Sequence, residues 1–224
     1  MAGLVIAGQT GVQALQDGVS TPPRLIRSGE LGVSEVHGRF YEQTYRGNVY
    51  GNGLTALTAL TGNTVTLTAT TTPILGVWNP ASSTVNVVIL QATLASGINA
   101  AAATGPGVFV WASSVGNAAL TLGTAPYNHK TLTTSGSQAK GLAFVALTGL
   151  TNNLVVQTGS DFPTPTIITT AAVPTSVQTP TVSYTANLDG AFIVPPGGVF
   201  ALLNTVSTTT ISVHGRLMWE EVPI

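Results

Sequence analysis

The chain has 224 residues, no cysteine, seven basic and eight acidic side chains, and a formal net charge of −1. That excludes disulfides, thiolate metal sites and cysteine nucleophiles, and it supplies neither a basic field for nucleic acid nor an acidic one for cations. With 44% hydrophobic and 7% charged residues the composition is the reverse of a disordered chain, and no apolar run approaches the roughly 20 residues needed to cross a bilayer.

Residues 1–23 show no periodicity and end in Thr21-Pro22-Pro23, which favours extended backbone. No Lys or Arg precedes Arg24, so the basic start of a secretory signal is missing and synthesis in the cytoplasm is expected. Residues 24–53 then hold much of the charge, with Arg24, Arg27, Glu30, Glu35, Arg39, Glu42 and Arg46 among the aromatics Phe40, Tyr41, Tyr45 and Tyr50. The glycines of this segment argue against a helix, so extended segments or a hairpin are expected. Its mixture of Arg, Tyr and Phe is typical of protein interfaces. It is read either as a solvated ribbon or as an arm that contacts a neighbouring subunit. From Gly47 to Asn128 there is no charged residue at all. A free surface normally scatters both signs of charge, so a neutral body implies a polar-neutral surface or one covered by neighbours.

Period-two alternation and short apolar runs bounded by turn residues place strands along this body. Asn63–Ala69 alternates, Ile74–Trp78 stops at Asn79-Pro80, and Val85–Leu94 reads as the middle of a sheet. Val108–Ala112 follows the Gly105-Pro106-Gly107 turn. The run Ala100–Ala103 is too short to nucleate a helix and reads as loop. Leu120–Leu122, Gly141–Leu147, Leu154–Gln157, Thr166–Thr169 and Thr181–Ala186 are further strands. Prolines 163, 165, 174 and 180 make most of 161–180 a surface loop. The C-terminal stretch is the clearest. Ala191–Val194, a Pro195-Pro196-Gly197-Gly198 turn, and a continuous apolar run Val199–Leu203 suited to a strand covered on both faces lead to a long alternating strand. In it Thr209, Ile211, Val213, Gly215, Leu217 and Trp219 share one side. Thr210, Ser212, His214, Arg216 and Glu220 share the other, with Met218 the exception. Roughly ten strands with frequent turns predict an all-β, antiparallel β-sandwich, jelly-roll-like, with an extended N-terminal arm. The arm is placed at residues 1–50 and the body at 51–224.

Nothing nominates a catalytic centre. His37, His129 and His214 are far apart and form no metal-ligand pair spacing. Glu220 and Glu221 are adjacent on a strand and face opposite ways, so they cannot share acid–base work. Asp189-Gly190 reads as a turn. No Gly-x-Ser-x-Gly elbow occurs, and Gly47–Gly53 lacks the Lys and following helix of a phosphate loop. Trp78, Trp111 and Trp219 lie in strand patterns and are read as core. No enzyme activity, cofactor or metal is expected.

Three segments, taken together, carry a resemblance. Ser34-Glu35-Val36-His37-Gly38-Arg39-Phe40-Tyr41-Glu42 leads to Arg46-Gly47-Asn48-Val49-Tyr50. Asn79-Pro80-Ala81-Ser82-Ser83 precedes the strand at Val85. Asp189-Gly190 through Val194-Pro195-Pro196-Gly197 leads to Trp219-Glu220-Glu221-Val222-Pro223. In this order they resemble tailed-bacteriophage virion proteins, in particular capsid decoration or cement-like proteins. One departure is Ala81-Ser82-Ser83-Thr84, where a Gly-Ser-Gly-Lys turn would be usual and no basic residue stands. The resemblance implies a structural protein of the virion capsid surface. It implies a homo-oligomer, with a trimer favoured, bound to the phage major capsid protein, and contact with neither nucleic acid nor membrane. The arm residues Arg24, Arg27, Glu30, Glu35, Arg39, Phe40, Tyr41, Glu42, Tyr45 and Arg46 are the expected protein interface. A tail or fibre component, or a glycan-binding jelly-roll module stacking sugars on Trp78 or Trp111, is the alternative.

Overall fold

The computed structural model describes residues 39–53, 58–59, 72–98, 107–117, 120, 123–159, 162, 182–206 and 211–224. Two compact units divide the chain, Met1–Glu42 and Gln43–Ile224, and the described residues lie almost wholly in the second. The expected strands at Asn63–Ala69 and Thr166–Thr169, the alanine run and the leader at 1–23 lie outside the described residues. So does all of the proline-rich loop except Phe162. Of the expected strand Leu120–Leu122 only Leu120 is described, and it is not in a strand.

The protein is an all-β sandwich of two antiparallel sheets. The first sheet is built on one long ribbon. Strand β4 (Val85–Ile98) pairs with β12 (Ile211–Pro223) over its whole length, from Val85↔Pro223 to Ile98↔Ile211. Each side of the ribbon is shared by two shorter strands. β9 (Val182–Asn187) and β10 (Ile193–Val194) pair with β4. β1 (Val49–Gly53) and β2 (Thr58–Ala59) pair with β12, and β6 (Tyr127–Asn128) completes the order by pairing with β1.

The expected alternation of β12 is present. Val213, Gly215, Leu217 and Trp219 are buried while His214 and Arg216 are exposed. Gly215 is needed at a close approach, because a Cβ there would stand 2.5 Å from the Thr93 carbonyl oxygen and 3.2 Å from Leu75. Met218, the exception to the pattern, lies on the outer row and is nevertheless 7% exposed. It pairs with Gly51, which has no side chain, and His129 folds over that gap. Beside it the register slips. Met218 faces Gln91 but Trp219 faces Ile89, leaving Leu90 as an extra residue. The freed Leu90 carbonyl accepts hydrogen bonds from the Leu188 and Asp189 amides, both at 2.9 Å. This bulge is where the chain turns from β9 into β10. Asp189 (φ 51°) and Gly190 (φ 80°) make the turn read from the sequence.

The second sheet has the order β7 (Lys140–Gly141), β3 (Leu75–Trp78), β11 (Val199–Asn204), β5 (Phe109–Ser114), β8 (Val155–Gly159). Every residue of β11 is buried, as its unbroken apolar run requires. On the inner face Leu75, Val77, Phe109, Trp111, Phe200 and Leu202 join Ile89, Leu94, Val213, Leu217 and Trp219 of the first sheet in one core. Trp111 stacks on Phe200 with ring centroids 4.9 Å apart. On the outer face Trp78, Val110, Ala112, Val199, Ala201 and Leu203 form a second core with Leu142, Leu147 and Leu154. The sandwich thus carries a third layer made of irregular backbone.

That layer corrects one expectation. Gly141–Leu147 is not a strand beyond Gly141. Its leucines are spaced to lie across the sheet and not to alternate along it. The backbone bends through positive φ at Phe144 (50°) and Gly149 (89°) to place them. A second correction concerns residues 41–46, where a six-residue helix, α1 (Tyr41–Arg46), stands in place of an extended segment. The glycines that argued against a helix bracket it. Gly47 (φ 85°) ends it, the Gly47 amide donating to the Thr44 carbonyl at 3.0 Å and the Asn48 amide to the Gln43 carbonyl at 3.1 Å. Glu42 in the first turn and Arg46 in the last complement the helix dipole. The next strand, β1, already belongs to the sandwich.

Buried polar side chains fasten the loops. Glu221, 6% exposed, accepts from Ser137 Oγ at 2.5 Å and from the Gln138 and Ala139 amides at 3.0 and 3.1 Å, tying that loop to β12. Asn117, fully buried, donates to Ser114 Oγ at 2.7 Å and accepts from the Thr151 and Asn152 amides, so it anchors the third layer to the end of β5. Hydrogen bonds to a charged acceptor contribute more than neutral ones, and donors left unpaired are costly. Glu221→Ala should therefore destabilise the fold by about 3 kcal/mol, read as a lower denaturant midpoint at unchanged slope; a loss below about 1 kcal/mol would show that water replaces the carboxylate. Asn117→Ala should speed amide exchange at Thr151 and Asn152 while Leu202 keeps its protection. Equal protection at all three sites would refute the anchoring role.

Candidate interaction surface

Helix α1 and the turn that follows β6 meet at Gly47. Asn128, 5% exposed, donates from Nδ2 to the Gly47 carbonyl at 2.6 Å. Its Oδ1 accepts from the Lys130 and Thr131 amides at 2.9 and 3.2 Å. Its own amide donates to the Thr133 carbonyl, its carbonyl accepts from the Leu132 amide, and the His129 amide donates to the Val49 carbonyl. Short Asn side chains suit such self-bonded turns. One buried asparagine therefore fixes both the helix end and the turn.

What this frame displays is apolar, aromatic and cationic. The Lys130 ammonium lies 5.1 Å from the centroid of the Tyr45 ring, a cation–π contact. Tyr45 is 63% exposed, Tyr127 54% and Leu132 77%. Leu132 is held at φ 58°, a conformation costing a residue other than glycine about 1–2 kcal/mol. Residues 43–53 and 123–141 include Arg46, Lys130 and Lys140 and no acid.

The neighbouring titratable groups respond to burial. Burial lowers the His129 imidazole from its usual range, helped by the positive charge of Arg216. Burial raises the Tyr50 phenol, with the charge of Glu221 adding to the shift and the bond to Asn128 opposing it. Glu220 is raised by burial. Among the described residues no three His, Cys, Asp or Glu side chains are placed to hold a metal ion.

Of the expected interface residues, Arg24, Arg27, Glu30 and Glu35 lie outside the described residues. Arg39 sits 5.6 Å from the centroid of the Phe40 ring. Tyr41, Glu42, Tyr45 and Arg46 are exposed on α1, and Phe40 is half-buried. Sequence reasoning missed Tyr127, Lys130 and Leu132. The available signal was Tyr127-Asn128-His129-Lys130, where the neutral run ends in a turn-forming asparagine followed by the first cation.

Other residues singled out from the sequence are structural. Trp78, Trp111 and Trp219 are 8%, 2% and 0% exposed, which bears out the reading as core and leaves neither Trp78 nor Trp111 for a sugar to stack on. Glu221 is buried and Glu220 lies on the opposite row, as the strand period requires. Two of the three familiar segments converge on Asn79. Its Nδ2 donates to the carbonyls of Val85 and Val194 at 2.8 and 3.0 Å. Its backbone exchanges hydrogen bonds with Gly197 and Gly198. Asn79-Pro80 and the Pro195–Gly198 turn thus clamp β3 and β11 of one sheet to β4 and β10 of the other.

Comparison with known proteins finds no matching family model, no matching curated protein and no matching solved structure.

Proposed function

We propose that this is a structural protein of a virion, a decoration or cement protein that binds the assembled head of a tailed bacteriophage. The observation that carries the reading is a division of surfaces. A sandwich with long charge-free stretches is joined to a rigidly held aromatic and cationic display at α1 and the Asn128 turn. Interfaces concentrate Tyr, Phe and Arg, whereas catalysis needs converging titratable groups. The segments resembling phage capsid-associated proteins support the same reading, and it implies oligomers seated on a lattice of major capsid protein. A tail or fibre location is the second reading, favoured by the same surfaces if the partner is another virion protein. Immunogold labelling of intact particles separates the two.

A protein that binds only the assembled shell stabilises it by mass action, by about 2.7 kcal/mol at a hundredfold excess over Kd. Heads carrying the protein should therefore disrupt at a higher temperature than bare heads, and coincident disruption curves would count against a cement role. Tyr45→Ser, Tyr127→Ser and Lys130→Gln together, all at exposed positions, should abolish co-sedimentation with heads while the β-type circular dichroism persists. Undiminished binding would refute the assignment of this surface.

A further inference from the structure

The turn after β6 lies at the margin of the first sheet. β6 ends the strand order and pairs with β1 at Tyr50↔Asn128 and Gly51↔Tyr127. Marginal segments held by few bonds open before the rest of a fold. The closed turn also keeps Leu132 at φ 58°, a backbone cost that opening relieves. His129 presses this turn onto the sheet. Its amide donates to the Val49 carbonyl at 2.9 Å, and its half-buried ring lies on the bare backbone of Gly51. A Cβ on Gly51 would stand 2.6 Å from the imidazole Nε2 and 3.5 Å from Cδ2, so the ring takes the place of the missing side chain.

The charged groups of the surrounding elements are mostly positive. β12 presents His214 and Arg216 on the outer row that the ring covers, and β1 gives that row Val49, Gly51 and Gly53, none of them titratable. The turn adds Tyr127 and Lys130, and the last turn of α1 adds Tyr45 and Arg46. The acid of the row is Glu220, opposite Val49. Its carboxyl responds to burial and not to His129, while the imidazole responds to burial and Arg216 and not to Glu220. Both causes hold the imidazole below its usual 6.5. The closed turn is therefore favoured in full above about pH 6.5 and loses that advantage as the pH falls, until the closed form takes the proton too. Glu220 works in the opposite sense, since a carboxyl raised by burial favours the folded state in acid.

We propose that His129 is an acid-released latch: neutral, it seals the turn at 127–133 onto β1, and protonated beside Arg216 it lets that turn lift. Because Asn128 also holds the Gly47 carbonyl at 2.6 Å, the end of α1 is released with it. The latch stands on the fold alone. Its consequence, that acid weakens binding at this surface, rests on the surface being the one that meets the capsid.

Amide exchange on the full chain, corrected for the intrinsic effect of pH, tests the latch. Between about pH 7.5 and about pH 5, protection at Asn128, His129 and Leu132 should fall about tenfold, the equivalent of one unit of pKa difference. Leu202 on β11 should not change. His129→Gln should flatten the fall, and Arg216→Gln should reduce it by removing the repelling charge. Protection that ignores pH in the wild type, or an equal fall in His129→Gln, would overturn the proposal. So would an NMR titration that puts the wild-type His129 ring at or above about 6.5, a measurement that decides the matter even if His129→Gln fails to fold. Co-sedimentation with heads at both pH values keeps the readings apart. Heads released in acid by the wild type and retained by His129→Gln support both. A turn that opens without releasing heads sinks the surface assignment alone, and a turn that stays shut while heads bind sinks the latch alone.

Discussion

Strand β11 has no wet face, and the molecule is arranged to cover it. All six residues from Val199 to Asn204 are buried, so apolar material is needed on both sides of the second sheet. The first sheet supplies one cover, and the leucines of 142–154 supply the other. A charged side chain on β3, β5 or β11 would be buried without water, which is costly unless it is paired. The long neutral stretch of the sequence is therefore partly an interior property. Charge collects where the fold still meets solvent: on α1, in the turn around Lys130, at Asp189 and along the outer row of β12.

With the strands held by apolar packing, a few buried polar side chains decide where the irregular segments lie. Asn79 clamps the two sheets at one end, Asn117 anchors the third layer, Asn128 sets the end of α1, and Glu221 holds the loop at Ser137–Ala139. Each satisfies backbone groups that would otherwise be unpaired away from water. Such residues look like function when read as motifs. Asn79-Pro80 and Glu220-Glu221 drew attention in the sequence, and their geometry is that of fasteners. The exposed residues around Asn128 are different, because nothing in the fold requires Leu132 or Tyr127 to be apolar.

Elements with a clear period or an unbroken apolar run were legible before any coordinates. The alternation of β12, the doubly covered β11, the long β4 and the Asp189-Gly190 turn follow from local rules. α1 was missed because its helix rests on flanking caps, with Gly47 acting as a terminator, and counting glycines hid that. The 142–154 layer was missed because its leucines are spaced by the sheet they cover and follow no backbone period. Half of the candidate interaction surface was legible, in Tyr45 and Arg46. The other half sits some 80 residues further on, and only the β1–β6 pairing and the Asn128 bond to Gly47 bring it alongside.

The β4–β12 ribbon has a kinetic corollary. Ile98 finds its partner at Ile211 and Val85 at Pro223, so the spine of the first sheet cannot zip until the ribosome has released Ile211–Pro223. Loop closure over that separation slows folding and leaves β4, long and uncharged, waiting as a nascent strand without its mate. Such a strand is a template for adhesion to sibling chains. Yield during overexpression should therefore be governed by translation speed and chaperone capacity as much as by the stability of the finished fold.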